Sequence, residues 1–289
     1  MLSGRFAPSP TGPLHMGSLI TALASYLDIT SQGGSWHIRI DDIDGPREAP
    51  EARSHIINTL AAHGLHSAST IRLQSNSTAR FRQALDELST ACFYCRCSRA
   101  QLREHDIYPG HCRALKLGAE DAALRLRVSD DTPVQINDGL LPSQTTIPSR
   151  DIGDFIVRRR DGLWAYNFAT AVDDGHDFTH VFRGQDLRHT TAMQVYVMHK
   201  LKLPVPQYTH LPLLCFPDGD KLSKQTHAPA LDAMHAAHNL AEALYYLGFN
   251  PPVQPTWTVG DWLGWALARW PTHSVPAQLP FYRPNPVLT

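Results

Sequence analysis

From Ser3 to Ala91 the chain alternates strand-like and helix-like segments, and this rhythm constrains the fold more than any other feature. "SGRFAPS" opens as a short strand. "MGSLITALASYLDITSQ" follows with Leu19, Ile20, Leu23, Tyr26 and Leu27 at helical spacing. "GGSWHIRIDDID" turns on two glycines and runs as a buried strand (Trp36, Ile38, Ile40) into acids. "EARSHIINTLAAHGL" reads as a helix stopped by Gly64, "IRLQS" as a third strand and "ARFRQALDELSTA" as a third helix. Strands separated by helices imply an α/β fold, a doubly wound parallel sheet with crossover helices. The rhythm breaks between about Cys92 and His176, where short strands, turns and cysteines replace long helices. "FTHVFRGQDL", "TTAMQVYVMHKL" and "QYTHLPLLCF" restore it. The expected organisation is a first half of the α/β domain at 1–91, an insertion at 92–176, a second half at 177–230 and a C-terminal helical region at 231–289.

Charge bears on partners. The 26 Lys and Arg against 27 Asp and Glu leave a net charge of −1, which excludes a protein that grips nucleic acid over its whole surface. A local patch remains open, the densest being "VRRRDG" with Arg158, Arg159 and Arg160. No apolar run approaches the roughly 18–20 residues of a membrane span, and "MLSGRFAPSP" lacks a leader's apolar region, so no membrane partner and a cytoplasmic location are expected. In that setting Cys92, Cys95, Cys97 and Cys112 read as a metal site rather than as disulfides. Spacing alone selects those four thiolates for zinc, with His105 and His111 as lesser rivals. Cys215, on an apolar strand, is expected in the core.

Ligands of doubly wound sheets sit at the carboxyl ends of the strands. "PTGPLHMGS" lies where the first strand feeds the first helix, whose free amides favour phosphate. Gly17 permits close backbone approach and His15 can donate to a phosphate oxygen. "KLSKQ", with Lys221 and Lys224, suits a loop that closes on phosphate charge.

"APSPTGPLHMGS" resembles the HIGH signature, and "KLSKQ" the KMSKS signature, of class I aminoacyl-tRNA synthetases. "RFAPSPTG", "HIRIDDID", "WAYNFATAVDD", "FRGQDL" and "HLPLL" are similar to the glutamyl branch, from Arg5 to about Ala230. The chain ends before the large anticodon-binding region of that branch, so the resemblance is to its truncated relatives, the glutamyl-Q tRNA(Asp) synthetase family. The resemblance implies a class I Rossmann-like domain split by a zinc-bearing insertion. It implies AMP-forming activation of L-glutamate by ATP with Mg²⁺, without tRNA, and transfer to queuosine in the anticodon loop of tRNA(Asp). A monomer with one structural zinc is expected.

By position, the resemblance puts Arg5, Phe6, Ala7, Pro8, Ser9, Asp41, Tyr166 and Arg183 around glutamate, with Arg5 and Arg183 as carboxylate anchors and Asp41 on the α-amino group. His15, Gly17, Ser18 and Lys224 fall to ATP, and His15, Lys221 and Lys224 to catalysis. The family's zinc pattern selects Cys95, Cys97, Tyr108 and Cys112 and leaves Cys92 out. Two departures stand out: Asp41 occupies a position usually held by Glu, with Asp42 as a substitute, and Ser18 replaces the second histidine of the class signature. Rival readings are a truncated glutamyl- or glutaminyl-tRNA synthetase charging a 3′ end, a non-catalytic RNA-binding paralogue and a small-molecule adenylyltransferase.

Overall fold

The computed structural model describes residues 1–222 and 228–283. Its centre is a five-stranded sheet built from β1 (Ser3–Phe6), β2 (Ser35–Ile40), β3 (Arg72–Leu73), β9 (His180–Gly184) and β10 (Gln207–Leu211). The order is β10-β9-β1-β2-β3 and every pairing is parallel. Helices α1 (Met16–Ser31), α2 (Ala52–Ala62) and α3 (Thr78–Glu87) follow the first three strands, as their apolar spacing predicts. From β1 the chain winds outward one way through β2 and β3, and on its return builds β9 and β10 on the other side. The topological switch therefore falls between β1 and β9, and a crevice opens at their carboxyl ends.

The insertion carries its own antiparallel sheet of β4 (Cys92–Cys95), β5 (Ala123–Leu126) and β8 (Phe155–Arg158), and a hairpin of β6 (Val134–Ile136) and β7 (Gln144–Thr146). A single turn, α4 (Pro148–Asp151), precedes β8. The sequence reading gives little long helix before His176, yet α5 (Tyr166–Asp177) spans 12 residues there and packs on α6 (Arg188–Lys200). Its buried face holds Asp173 and Asp174 beside Phe168 and Val172, so carboxylates interrupt the apolar stripe that marks a helix.

One core lies between α1, the sheet and the C-terminal helices α7 (Ala236–Tyr246) and α8 (Val259–Leu267). A second joins α5 and α6 to the insertion. Gly64 ends α2 at φ +70°, and a Cβ there would come within 2.8 Å of Leu263 and Val259 side chains on α8. Glycine both turns the chain and admits the neighbouring helix. Cys215 departs from its expected place in the core. It lies beyond the end of β10, where the chain folds back to bridge Lys221, and is only partly buried. Among the described residues no helix is long and apolar enough to cross a membrane.

Candidate active site and metal centre

A cavity of about 310 Å³ opens at the switch point. Arg5 and Phe6 of β1, with Ala7, Pro8 and Ser9 beyond it, form one wall, and His15, Gly17 and Ser18 at the start of α1 form another. Tyr166, the first residue of α5, and Arg183 of β9 close it, with Asp186 and Lys221 at the side. His15 caps α1: its backbone is extended and its Nδ1 accepts from the Ser18 amide at 3.4 Å. In the neutral ring the proton then sits on Nε2, the donor tautomer expected of a phosphate partner. A Cβ on Gly17 would press to 3.2 Å from the His15 ring, so glycine lets the imidazole fold over the helix end. No acidic residue occupies the first turn of this 16-residue helix, which leaves its positive end unopposed by its own side chains.

The two predicted anchors differ in charge balance. Arg5 gives Nε and Nη2 to the two oxygens of Asp174, at 3.2 and 2.6 Å. Arg39 adds Nη1 to Asp174 at 2.7 Å and clasps Asp41 with Nε and Nη2, at 2.6 and 3.2 Å. Two guanidinium groups thus face two carboxylates, all of them buried. Burial disfavours the charged form of Asp174, but Arg5 and Arg39 outweigh it and hold its pKa below the ordinary value. Arg183 is equally buried, yet its donors meet neutral acceptors: His210 Nε2 at 3.1 Å, Gln194 Oε1 at 2.7 Å and Thr191 Oγ1 at 2.6 Å. Among the described residues Arg183 forms no ion pair. A buried cation that touches no carboxylate directly, on the wall of a cavity, suits an anionic ligand.

Asp41 does not line this cavity. It faces a second one, of about 560 Å³, which shares Ser9 and Tyr166 with the first and is bordered by Arg47, Arg99 and Arg159. Asp42 lines neither, since Ser75 and Arg53 hold its carboxylate. Lys221 pairs with Asp186 at 2.6 Å. Lys224 lies outside the described residues. The basic run is internally engaged: Arg158 bonds the Gly162 carbonyl, Arg159 pairs with Asp44 and Asp161, and Arg160 bonds the Arg96 and Cys97 carbonyls.

In the insertion, the sulfurs of Cys95, Cys97 and Cys112 lie within 4.8 Å of one another, a group that could hold a metal ion and whose chemistry is compatible with zinc. Tyr108 Oη stands among them, 3.4 Å from Cys95 Sγ and 3.8 Å from Cys97 Sγ, and accepts from the Cys112 amide at 2.8 Å. The Arg125 guanidinium lies 4.0 Å above the Tyr108 ring. Cys92 is outside the cluster. It is three residues from Cys95 on the same strand, which puts the two side chains on opposite faces, and it packs on the apolar core. Burial pushes its thiol up to about 11. Burial also opposes ionisation of Cys95, but Tyr108 and Arg125 outweigh it and bring that thiol down to about 7. His111 Nδ1 stays 4.0 Å from Cys97 Sγ, and His105 packs on the His111 ring.

Sequence reasoning passed over Arg39, Asp174, Asp138 and His210 as site residues. "VDD" and "HLPLL" carry two of them, but a carboxylate on a helix and a histidine on an apolar strand have no spacing that announces which arginine they meet.

The model of the family "tRNA synthetases class I (E and Q), catalytic domain" matches residues 1–245. A glutamyl-Q tRNA(Asp) synthetase of Neisseria meningitidis is 42% identical over 290 aligned positions, covering 96% of this chain and 98% of that protein. Another from Serratia proteamaculans is 43% identical, covering 94% and 91%. Among solved structures, a glutamate tRNA ligase of Elizabethkingia meningosepticum in complex with its amino acid superposes with a TM-score of 0.68 at 24% identity, a likeness of fold. That match covers 78% of this chain, which spans about half of the ligase, 52%.

Proposed function

Since this chain belongs to the class I tRNA synthetase family of the glutamate and glutamine type, and within it to the glutamyl-Q tRNA(Asp) synthetases, we propose that it activates glutamate with ATP and transfers the glutamyl group to queuosine in the anticodon of tRNA(Asp). The observation that carries the amino-acid half of this reading is Arg183, a buried guanidinium held by neutral acceptors on the wall of a cavity that also contains the N-terminus of α1. A carboxylate side chain gives Arg183 a direct charged partner; an amide does not.

The chemistry proposed for the site asks it chiefly to align and to stabilise charge. One oxygen of the glutamate α-carboxylate attacks the α-phosphorus of ATP, the bond to the bridging oxygen breaks, and pyrophosphate leaves. His15 Nε2–H and the first amides of α1 face the phosphates, and Lys224, in the "KLSKQ" motif, adds charge as the transition state develops. Mg²⁺ carried with ATP supplies further neutralisation. In the second step a hydroxyl oxygen of the queuosine cyclopentenediol bonds to the carbonyl carbon of glutamyl-adenylate, loses its proton, and AMP departs. The second cavity adjoins the first through Ser9 and Tyr166, and it is the approach we assign to the modified base. Zinc on Cys95, Cys97, Cys112 and Tyr108 is given a structural role, tying β4 to the loop that follows it.

ATP–pyrophosphate exchange without RNA tests the first step. Exchange that depends on glutamate and fails with glutamine is expected. Exchange that begins only when tRNA is added would favour an enzyme that charges tRNA 3′ ends.

A further inference from the structure

We propose that Asp138, on the insertion's β6–β7 hairpin, is a positioning residue for the glutamate site: it fixes the tautomer of His210, and His210 aims Arg183 into the cavity. This inference rests on the reading of Arg183 as the partner of the glutamate carboxylate.

The hairpin docks on the free edge of the main sheet. Asp138 bridges Tyr208 of β10, and the Gly139 amide donates to the Tyr208 carbonyl at 2.8 Å. A side chain at Gly139 would displace the Thr209 hydroxyl, so glycine eases the approach. This contact carries Asp138 to the buried face of His210. Asp138 Oδ2 lies 2.5 Å from His210 Nδ1, with both side chains buried. Asp138 Oδ1 is turned the other way, where it accepts from the Leu140 and Leu141 amides at 3.0 Å and from the His210 amide at 3.3 Å.

The protons follow from these contacts. A carboxylate at Nδ1 requires Nδ1–H, so Nε2 carries the lone pair. That lone pair accepts Arg183 Nε–H at 3.1 Å, with Thr191 Oγ1 at 3.0 Å. In the other tautomer, or in the imidazolium, an N–H would confront the Arg183 N–H and push the guanidinium from its seat. Burial, the largest influence, and Arg183 lower the His210 pKa and outweigh the opposing pull of Asp138, which keeps the ring neutral as this arrangement needs. The insertion thus supplies a residue that acts, through His210, on Arg183 of the glutamate site, 45 positions further along the chain than itself.

Asp138→Asn tests this with little change of shape. Three backbone amides hold the Oδ1 position as an acceptor, so the new amide nitrogen must take the Oδ2 position and donate to His210 Nδ1. The ring proton is then driven to Nε2, against Arg183. The expected result in glutamate-dependent ATP–pyrophosphate exchange is a KM for glutamate raised about tenfold or more, the loss of one charge-assisted hydrogen bond, with the KM for ATP unchanged. Nitrogen-15 NMR should find His210 protonated at Nδ1 in the wild type and at Nε2 in the variant. A wild-type His210 protonated at Nε2 overturns the proposal whether or not the variant folds. A variant with a shifted proton and an unchanged KM for glutamate overturns it too. A wild type that shows the Nδ1–H tautomer but exchanges without regard to glutamate instead removes the reading of Arg183, and the positioning role falls with it.

Discussion

Arg5 and Asp174 meet as a buried two-point pair, Nη2 on Oδ2 at 2.6 Å and Nε on Oδ1 at 3.2 Å. The charge that the family resemblance assigns to a substrate carboxylate is therefore already balanced within the protein, and Arg39 and Asp41 complete the same cluster. Removing one member leaves another charge buried and unpaired. Asp174→Asn should lower the unfolding free energy by about 3–5 kcal/mol, the usual cost of breaking a buried ion pair from one side. Urea denaturation checks this, and a loss below about 1 kcal/mol, the range of exposed pairs, would contradict the role given to the cluster.

Arg183 is the complementary case, with no carboxylate in direct contact and so open to one from a ligand. Arg183→Gln should reduce kcat/KM for glutamate in pyrophosphate exchange by at least about tenfold, taking about 1.5 kcal/mol as a low value for a charge-assisted hydrogen bond. The rate with glutamine should not fall in parallel, so the ratio between the two amino acids narrows. A variant that loses activity toward both equally would place the selection elsewhere.

Asp173 makes stability depend on pH. Burial pushes its carboxyl up to about 6, and the neighbouring Asp174 adds to this against the pull of Arg39 and bonds from Ser77 and Gln74. In the unfolded chain the group titrates near 4, as an ordinary aspartate does. Between these values the native state binds more protons than the unfolded state. The group's contribution is therefore fully present below about pH 4, declines as pH rises towards about 6, and costs up to about 3 kcal/mol above it. Asp173→Asn should remove this dependence. Urea midpoints of the wild type, measured against the variant, should rise as pH falls through that window; a constant difference would show that Asp173 titrates normally.

The cysteine cluster predicts about one zinc ion per chain, the content of a four-ligand structural site. Replacing Cys95, Cys97 or Cys112 by Ser should release it and expose the insertion to proteolysis. Cys92→Ser should keep the metal, because Cys92 points to the other face of β4. Elemental analysis decides the fourth ligand as well: Tyr108→Phe should weaken retention if Oη completes the set, and loss of zinc from Cys92→Ser with retention in Tyr108→Phe would restore the four-thiolate arrangement.

Much of the fold was legible because strand, turn and helix signals are local. The alternation from β1 to α3 and the turn at His15–Gly17 mark the crevice in the sequence itself. The metal cluster was partly legible: spacing proposes Cys92, the family's zinc pattern leaves it out, and the alternation of side chains along β4 gives the physical reason. The charge cluster was not legible. Arg5, Arg39, Asp41 and Asp174 come from β1, β2, the turn beyond it and α5, and the stretches carrying them meet only when the sheet closes. For the same reason Arg5 and Arg183 read alike in sequence. Which of them lacks a direct carboxylate partner depends on Asp174, 169 residues from Arg5.

The acceptor proposed for the glutamyl group is a modified base in an anticodon loop, and transfer to isolated stem-loops tests this most directly. Labelled glutamate, ATP and Mg²⁺ are incubated with the anticodon stem-loop of tRNA(Asp), bearing either queuosine or guanosine at the same position. In parallel, whole tRNA(Asp) is used with its 3′ end oxidised by periodate before queuosine is introduced. A single-stranded loop can splay its base into a pocket, and queuosine supplies the diol that the adenylate requires. Label is expected on the queuosine stem-loop and on the 3′-blocked tRNA, and none on the guanosine loop. Label confined to an intact 3′-terminal adenosine, with the queuosine stem-loop inert, would contradict it.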